Sequence, residues 1–88
     1  MVSCTVKVVN QLGLHARAAA RFVELAARFT SRITVSRGAK TMDGKSILGL
    51  LLLAAARGTS LTITADGADE AETLAALCLL VERGFEDL

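Results

Sequence analysis

Hydrophobic and polar residues alternate along three short segments of the chain. Residues 3–9, 31–36 and 61–65 carry apolar side chains at every second position, which is typical of strands with one buried face. A further short strand is predicted at residues 39–42, directly after a turn at Gly38. We therefore expect four strands, two of them joined as an antiparallel hairpin.

Apolar residues recur with helical spacing in three segments that lie between or after these strands. The first helix is predicted to begin at Ala16, with the inward stripe Ala19, Phe22, Val23 and Ala26. The second is predicted within residues 47–56, after a cap at Ser46 and before Arg57-Gly58. The third follows the acidic residues Asp69, Glu70 and Glu72 and ends near Gly84, with the inward stripe Leu74, Leu77, Cys78, Val81 and Phe85.

The resulting order of elements is β-α-β-β-α-β-α. It predicts a two-layer α/β (α+β) sandwich, with the helices on one face of a mixed or antiparallel sheet. With 88 residues, the chain has room for one domain, which we place at residues 1–88.

Charge and composition exclude several classes of function. The formal net charge is +1 and the only aromatic residues are three phenylalanines, so we expect no nucleic-acid binding. The longest apolar run, residues 47–56, is about half the length that spans a bilayer. No secretory signal is recognisable, so we expect a cytoplasmic protein without membrane insertion.

The two cysteines follow no metal-binding or redox spacing. We expect Cys4 and Cys78 to be free, small and buried, as in a reducing cytosol. With one histidine there are too few ligands for a zinc site, and no glycine-rich nucleotide-binding loop is present. We therefore expect neither a metal nor a cofactor.

The single histidine, His15, precedes the first predicted helix. Imidazole is a nucleophile through a ring nitrogen, and a helix start favours a bound phosphoryl group. Arg17 adds a guanidinium fork that suits phosphate oxygens. Two interpretations remain: His15 carries a phosphoryl group received from another protein, or it only caps the helix.

The second predicted helix also carries candidate residues. Ser46 is either a simple helix cap or a phosphorylation site. The helix has more apolar side chains than one face can bury, which suggests an exposed docking patch. We assign Ile47, Leu48 and Leu51 to the exposed side and Leu50, Leu53 and Ala54 to the core.

Three segments of the chain resemble the HPr family, the histidine-containing phosphocarriers of the bacterial phosphoenolpyruvate:sugar phosphotransferase system. The first is Gly13-Leu14-His15-Ala16-Arg17. The second is Lys45-Ser46-Ile47-Leu48-Gly49-Leu50, followed by Ala54-Ala55-Ala56-Arg57-Gly58. The third is Thr62-Ile63-Thr64-Ala65-Asp66-Gly67. They follow in the family's order and spacing across nearly the whole chain.

The resemblance implies an open-faced β-sandwich of four antiparallel strands with three helices on one side. It implies a phosphocarrier rather than an enzyme: His15 accepts a phosphoryl group on Nδ1 from phosphorylated enzyme I, and an enzyme IIA domain receives it. Arg17 would assist, and Ser46 would be phosphorylated by HPr kinase/phosphorylase. The expected partner-binding residues are Ala16, Ala20, Arg21, Lys45, Ile47, Leu48 and Leu51.

One position departs from the family's pattern. Ala18 stands where the family usually has proline, and the chain contains no proline. Alanine leaves the helix start less constrained, which allows slower or differently tuned transfer without loss of function. Two alternatives are a nitrogen-related or regulatory member of the same family, and a regulatory or ligand-binding sandwich that is never phosphorylated.

Overall fold

Four antiparallel strands form one sheet in the computed structural model, which describes residues 1–87 of the chain. They are β1 (Val2–Lys7), β2 (Arg32–Arg37), β3 (Lys40–Asp43) and β4 (Ser60–Asp66). Their order across the sheet is β1-β4-β2-β3, so β1 and β3 are the edge strands. The four strands predicted from the alternation are confirmed, and the sheet is antiparallel rather than mixed.

The register places apolar residues on one face of the sheet and hydroxyl residues on the other. Ile63 of β4 lies between Cys4 of β1 and Val35 of β2 on the apolar face. On the opposite face, Thr5 and Thr62 share a hydrogen bond of 3.3 Å between their hydroxyl oxygens. Because side chains alternate across a strand, this register exposes one face of the sheet and buries the other.

Helices cover the apolar face. They are α1 (Ala16–Ala26), α2 (Ile47–Leu52), α3 (Glu70–Glu82) and the single turn α4 (Gly84–Asp87). Helix α3 packs on β1 and β4, α2 contacts β3, and α1 contacts α2 and α3. The core is mostly aliphatic, and its largest fully buried side chains include Phe22, Phe85, Ile33, Leu50, Leu53, Leu61, Ile63 and Leu77. No helix in the described part of the chain is long and apolar enough to cross a membrane.

The third helix ends near Gly84, as predicted, but the additional turn α4 follows it, so the described residues form four helices rather than the expected three. Gly84 has a φ of +63°, and the two residues after it also have positive φ. Phe85 is fully buried, but it belongs to α4 rather than to the stripe of α3 in which it was predicted. Leu80, which the predicted stripe omits, is buried on α3.

Helix α2 is shorter than the 47–56 segment in which it was predicted. It ends at Leu52, and Ala54 lies beyond it with a left-handed φ of +51°. The assignment of Ala54 to the core was wrong, since the turn leaves it exposed, whereas Leu50 and Leu53 are fully buried. Leu51, predicted to be exposed, is partly buried against the core.

The expectation of two free cysteines was also wrong. Cys4 and Cys78 form a disulfide that joins β1 to α3. Cys4 lies on the apolar face of β1, and α3 packs directly on that strand, so the two side chains meet. Sequence spacing could not show this pairing, because the residues are 74 positions apart and are brought together by packing.

The start of α3 is tied to the segment that precedes β2. The carboxylate of Asp69 accepts hydrogen bonds from the backbone N–H of Thr30 at 2.9 Å and of Ser31 at 3.0 Å. The Ser31 hydroxyl donates to the same carboxylate. These bonds, led by the Ser31 hydroxyl, hold the pKa of Asp69 well below its ordinary value.

Candidate functional site

A tight turn over residues 10–13 lies between β1 and His15. The Asn10 side chain closes it by donating from Nδ2 to the Gly13 carbonyl at 2.8 Å, and the Gly13 N–H donates to the Asn10 carbonyl at 3.2 Å. The sequence Asn10-Gln11-Leu12-Gly13 predicts such a turn, and this is confirmed.

Gly13 allows this turn to pack against the segment that follows α2. Its φ is +67°, and a Cβ at this position would collide with the carbonyl oxygen of Ala55. The next residue, Leu14, is buried and donates its N–H to that same carbonyl at 2.9 Å. The position of His15 is therefore set by two segments that are distant in sequence.

His15 is the N-cap residue of α1. Its backbone is extended, with φ −82° and ψ −179°, and its carbonyl accepts the first helical hydrogen bond, from Ala19 N–H at 2.8 Å. Its Nδ1 accepts from the backbone N–H of Arg17, with 3.3 Å between the nitrogens. The capping interpretation of His15 is thus correct as a description of the local structure.

The two ring nitrogens of His15 differ in their surroundings. Nε2 is enclosed and has no hydrogen-bond partner among the residues that the structure describes, while the residue as a whole is partly exposed. Because Nδ1 accepts a hydrogen bond, it carries a lone pair, which places the proton of the neutral ring on Nε2. The ring nitrogen with an available lone pair is therefore Nδ1, at the start of α1.

The surroundings of Nδ1 suit a group with negative charge. The first turn of α1 presents backbone N–H groups that have no acceptor within the helix, at the positive end of the helix dipole. Arg17 lies exposed in this turn. Ala18 is fully buried there, and the helix begins at Ala16 without a proline.

Two cations predicted to contact partners make hydrogen bonds inside the fold. Arg21 donates from Nη1 to the carbonyl oxygens of Phe85 at 2.9 Å and Glu86 at 3.2 Å, which ties α4 to α1. Lys45 donates from Nζ to the Phe29 carbonyl at 2.7 Å, just beyond the end of α1. Sequence reasoning missed these three hydrogen bonds, since every acceptor is a backbone carbonyl.

Ser46 caps α2, as the sequence predicts. Its Oγ accepts from the N–H of Gly49 at 3.0 Å, and its carbonyl accepts from Leu50 N–H at 3.0 Å. The residue is partly buried. This geometry explains a serine at position 46 without any modification and leaves the phosphorylation hypothesis untested.

The exposed side of α2 is apolar. Ile47 is 42% exposed, Leu48 68% and Leu52 54%. We call these three residues the α2 patch. Leu52 was not singled out from the sequence, although it lies four residues after Leu48 and hence on the same side of the helix. Of the other predicted contact residues, Ala16 is exposed and Ala20 is partly buried.

Comparison with known proteins covers nearly the whole chain. A family model described as "PTS HPr component phosphorylation site" matches residues 2–83. The phosphocarrier protein HPr of Neisseria meningitidis serogroup A is 44% identical over 85 residues, covering 97% of this chain and 96% of that protein. The HPr of Pseudomonas aeruginosa is 41% identical over 88 residues, covering 99% and 98%.

A solved structure shows the same architecture. The crystal structure of HPr-C-His from Thermoanaerobacter tengcongensis superimposes with a TM-score of 0.95 at 39% identity, covering 100% of this chain and 99% of that one. The sequence matches and the structural match therefore cover nearly the same residues and indicate the same family. The chain belongs to the HPr family and serves as a phosphocarrier of the phosphotransferase system.

Proposed function

We propose that His15 is the residue that carries the phosphoryl group, and that Nδ1 is the atom to which it is bound. The observation that supports this most directly is the difference between the two ring nitrogens: Nδ1 faces the start of α1 and accepts a hydrogen bond, whereas Nε2 is enclosed. Attack through Nε2 would require the ring to leave its position.

The transfer step uses the atoms already in place. The lone pair of Nδ1 attacks phosphorus, the bond from phosphorus to the donor breaks, and the donor keeps that electron pair. The Arg17 N–H, which had donated to Nδ1, is released and donates to a phosphoryl oxygen instead. The Arg17 guanidinium balances the remaining charge, and the reverse attack by an acceptor histidine regenerates the cap.

The partners that fit this cycle are phosphorylated enzyme I as donor and an enzyme IIA domain as acceptor, in the cytoplasm. In this cycle the chain acts as a carrier between the two partners. Neighbouring candidates for the docking surface are Ala16, Ala20 and the α2 patch, with Leu51 beneath it. An apolar patch of this kind can bind two different partners in turn because its contacts are not directional.

The test distinguishes a nucleophilic role of His15 from a purely capping role. Wild-type protein incubated with enzyme I and labelled phosphoenolpyruvate should gain acid-labile, base-stable label. His15→Asn should remain folded, because asparagine is also a good N-cap, yet it should gain no label. His15→Ala should lose both the label and about 1 kcal/mol of stability.

The contrast between these variants decides the assignment. Label on His15→Asn would place the phosphoryl group elsewhere, and an unlabelled wild type would favour a regulatory sandwich that is never phosphorylated. Nitrogen-15 chemical shifts of the phosphorylated ring would identify the substituted atom, and a phosphoryl group on Nε2 would contradict the proposal.

We further propose that Ser46 is a regulatory phosphorylation site for HPr kinase/phosphorylase. A phosphoryl group on Oγ adds roughly two negative charges beside Ile47 and Leu48, which should weaken docking of enzyme I. Its oxygens would replace Oγ as acceptors for the Gly49 N–H, so α2 should persist.

For Ser46, we expect acid-stable label with ATP and the kinase, and slower phosphorylation of His15 afterwards. Ser46→Asn is the matched control, since it keeps a capping side chain but has no hydroxyl to modify. Acid-stable label on this variant would remove the assignment.

A further inference from the structure

The pair Cys4–Cys78 lies apart from the phosphoryl-transfer site and has no part in that chemistry. Cys4 belongs to β1, and Cys78 lies in the middle of α3, the helix that packs on β1. The bridge therefore fastens the first strand of the chain to its last long helix.

Both bridged residues line a surface groove rather than the sealed core. Each is partly exposed, and the groove between β1 and α3 has a volume of about 370 Å³. Its walls are mostly apolar and small, with Val2, Ala71, Leu74 and Ala75 among them, and Glu82 is the one charged residue that lines it. A small thiol can therefore approach the sulfur atoms without unfolding of the chain.

The strand held by this bridge is paired along one side. As an edge strand, β1 pairs with β4 over Val2–Lys7 and, among the described strands, with no other. At its start, the amino group of Met1 lies 3.0 Å from a Glu70 carboxylate oxygen and 3.8 Å from an Asp66 carboxylate oxygen, and ion pairs at the surface contribute little. At its end, β1 leads into the turn before His15. Release of the bridge should therefore loosen β1, the strand that precedes the turn before His15.

We propose that Cys4 and Cys78 are a reversible thiol–disulfide modification site that exchanges with a small-thiol pool of the glutathione type. In the oxidised form the bridge locks β1 onto α3. In the reduced form the two elements are held by packing alone, and β1 opens more readily.

The exchange is balanced as two thiol–disulfide steps. In oxidation, one cysteine thiolate attacks a glutathione disulfide and expels one glutathione thiolate, and the second cysteine thiolate then attacks the mixed disulfide and expels the other. The two cysteines lose two electrons and two protons in total, and the glutathione disulfide is reduced to two thiols. Reduction is the reverse sequence.

The biological setting rests on the cytoplasmic location proposed above. There, disulfides are characteristically transient, and they act in catalysis or redox sensing rather than as permanent links. The chemistry itself does not depend on phosphoryl transfer. Its test is a mass measurement, so its failure and the failure of the His15 assignment are separate results.

The experiment titrates the native protein without denaturant in buffers of defined reduced-to-oxidised glutathione ratio. After an alkylating quench, mass spectrometry counts the modified cysteines. We expect none in the oxidising buffer, two in the reducing buffer, and the same transition from either direction. Two thiols under every condition, or a bridge that reduces only in denaturant, would overturn the proposal.

The single variants test access to each sulfur. Cys4→Ser and Cys78→Ser each leave one thiol in the groove, and each should accept one glutathione as a mixed disulfide. Failure of both to do so would show that the groove does not admit the reagent, and would contradict the proposal.

Hydrogen exchange tests the effect on β1. Reduction lowers the stability of the whole fold and should accelerate amide exchange in every strand, but β1 amides should accelerate about tenfold more than amides of β2, which lies between two strands. Equal acceleration in both strands would mean that the bridge stabilises only the whole fold and does not govern β1.

Discussion

At the scale of single residues, His15 shows how one ring nitrogen can serve both structure and chemistry. Nδ1 accepts a hydrogen bond from the Arg17 N–H at the helix start, and the same lone pair is the proposed nucleophile. The sequence could predict that His15 is the candidate residue and that it lies directly before a helix. The family resemblance implied Nδ1, but residue spacing alone could not choose between the nitrogens, because the choice depends on the ring orientation, in which Nδ1 accepts from the Arg17 N–H.

Ala54 is the other residue whose conformation matters. It follows the C-cap of α2 in a left-handed conformation with a φ of +51°, a region that costs an L-residue with a Cβ about 1–2 kcal/mol. Glycine is the usual residue at this position after a helix. The leucines and alanines of this segment contain no turn-forming residue between Leu50 and Ala56. The helix was therefore predicted within residues 47–56 rather than ending at Leu52.

Replacing Ala54 with glycine should therefore stabilise the protein. We expect Ala54→Gly to raise the free energy of unfolding by about 1 kcal/mol, because glycine adopts positive φ without a steric penalty. Urea denaturation measures the difference. Ala56→Gly is the matched control, since Ala56 is exposed nearby without a positive φ. If both variants are equally stable, the left-handed turn carries no penalty.

At the scale of elements, the ends of the helices are held by bonds that reach across the fold. Arg37, at the end of β2, donates from Nη1 to the Leu53 carbonyl at 2.8 Å and so covers the end of α2. Helix α2 has only six residues, too few to be stable alone. Its length is set by this contact and by Ala54, and neither could be deduced from local spacing.

Asp69 connects two elements in the same way. By accepting from Thr30, Ser31 and also the Thr73 hydroxyl at 3.3 Å, it holds the start of α3 against the segment that leads into β2. The acidic residues before α3 were noted in the sequence for their effect on the helix dipole. Their main structural use, through Asp69, is this long-range contact.

The lowered pKa of Asp69 predicts how stability depends on pH. A carboxyl whose pKa falls on folding contributes stability above its unfolded value, here 3.8, and loses it as the pH drops towards the folded value. Wild-type stability should therefore decline progressively as the pH falls below about 5. Asp69→Asn should be less stable near neutrality and should show a shallower decline.

Urea midpoints measured between neutral pH and acid would check this. Glu72→Gln, which changes an exposed carboxyl in the first turn of α3, serves as the control and should retain the wild-type slope. A wild-type slope in Asp69→Asn would show that other carboxyls cause the acid sensitivity.

At the scale of the whole molecule, the fold class, the four strands and the antiparallel hairpin were all predictable, because alternation and turn residues agree along the chain. The disulfide was not. Two cysteines with no recognisable spacing carry no information about pairing, and here the pairing follows from how α3 lies across β1. Contacts between elements distant in sequence are therefore where the prediction failed.

The bridge should have a large effect on global stability. It closes a loop with a sequence separation of 74, and a loop of that size restricts the unfolded chain enough to stabilise the native state by about 4 kcal/mol. We expect the urea midpoint of the wild type to fall on addition of reductant. The double variant Cys4→Ser/Cys78→Ser should have the urea midpoint of the reduced wild type, and reductant should not change it. Identical urea midpoints for the oxidised wild type, the reduced wild type and the double variant would contradict the loop-entropy argument.

The arrangement β1-β4-β2-β3 also has a consequence for biosynthesis. The first strand to leave the ribosome has its only pairing partner in β4, where Val2 lies opposite Ala65. The hairpin β2–β3 can form early, but β1 must remain unpaired until most of the chain has been translated. Until β4 emerges, β1 is thus open to chaperones and to mispairing.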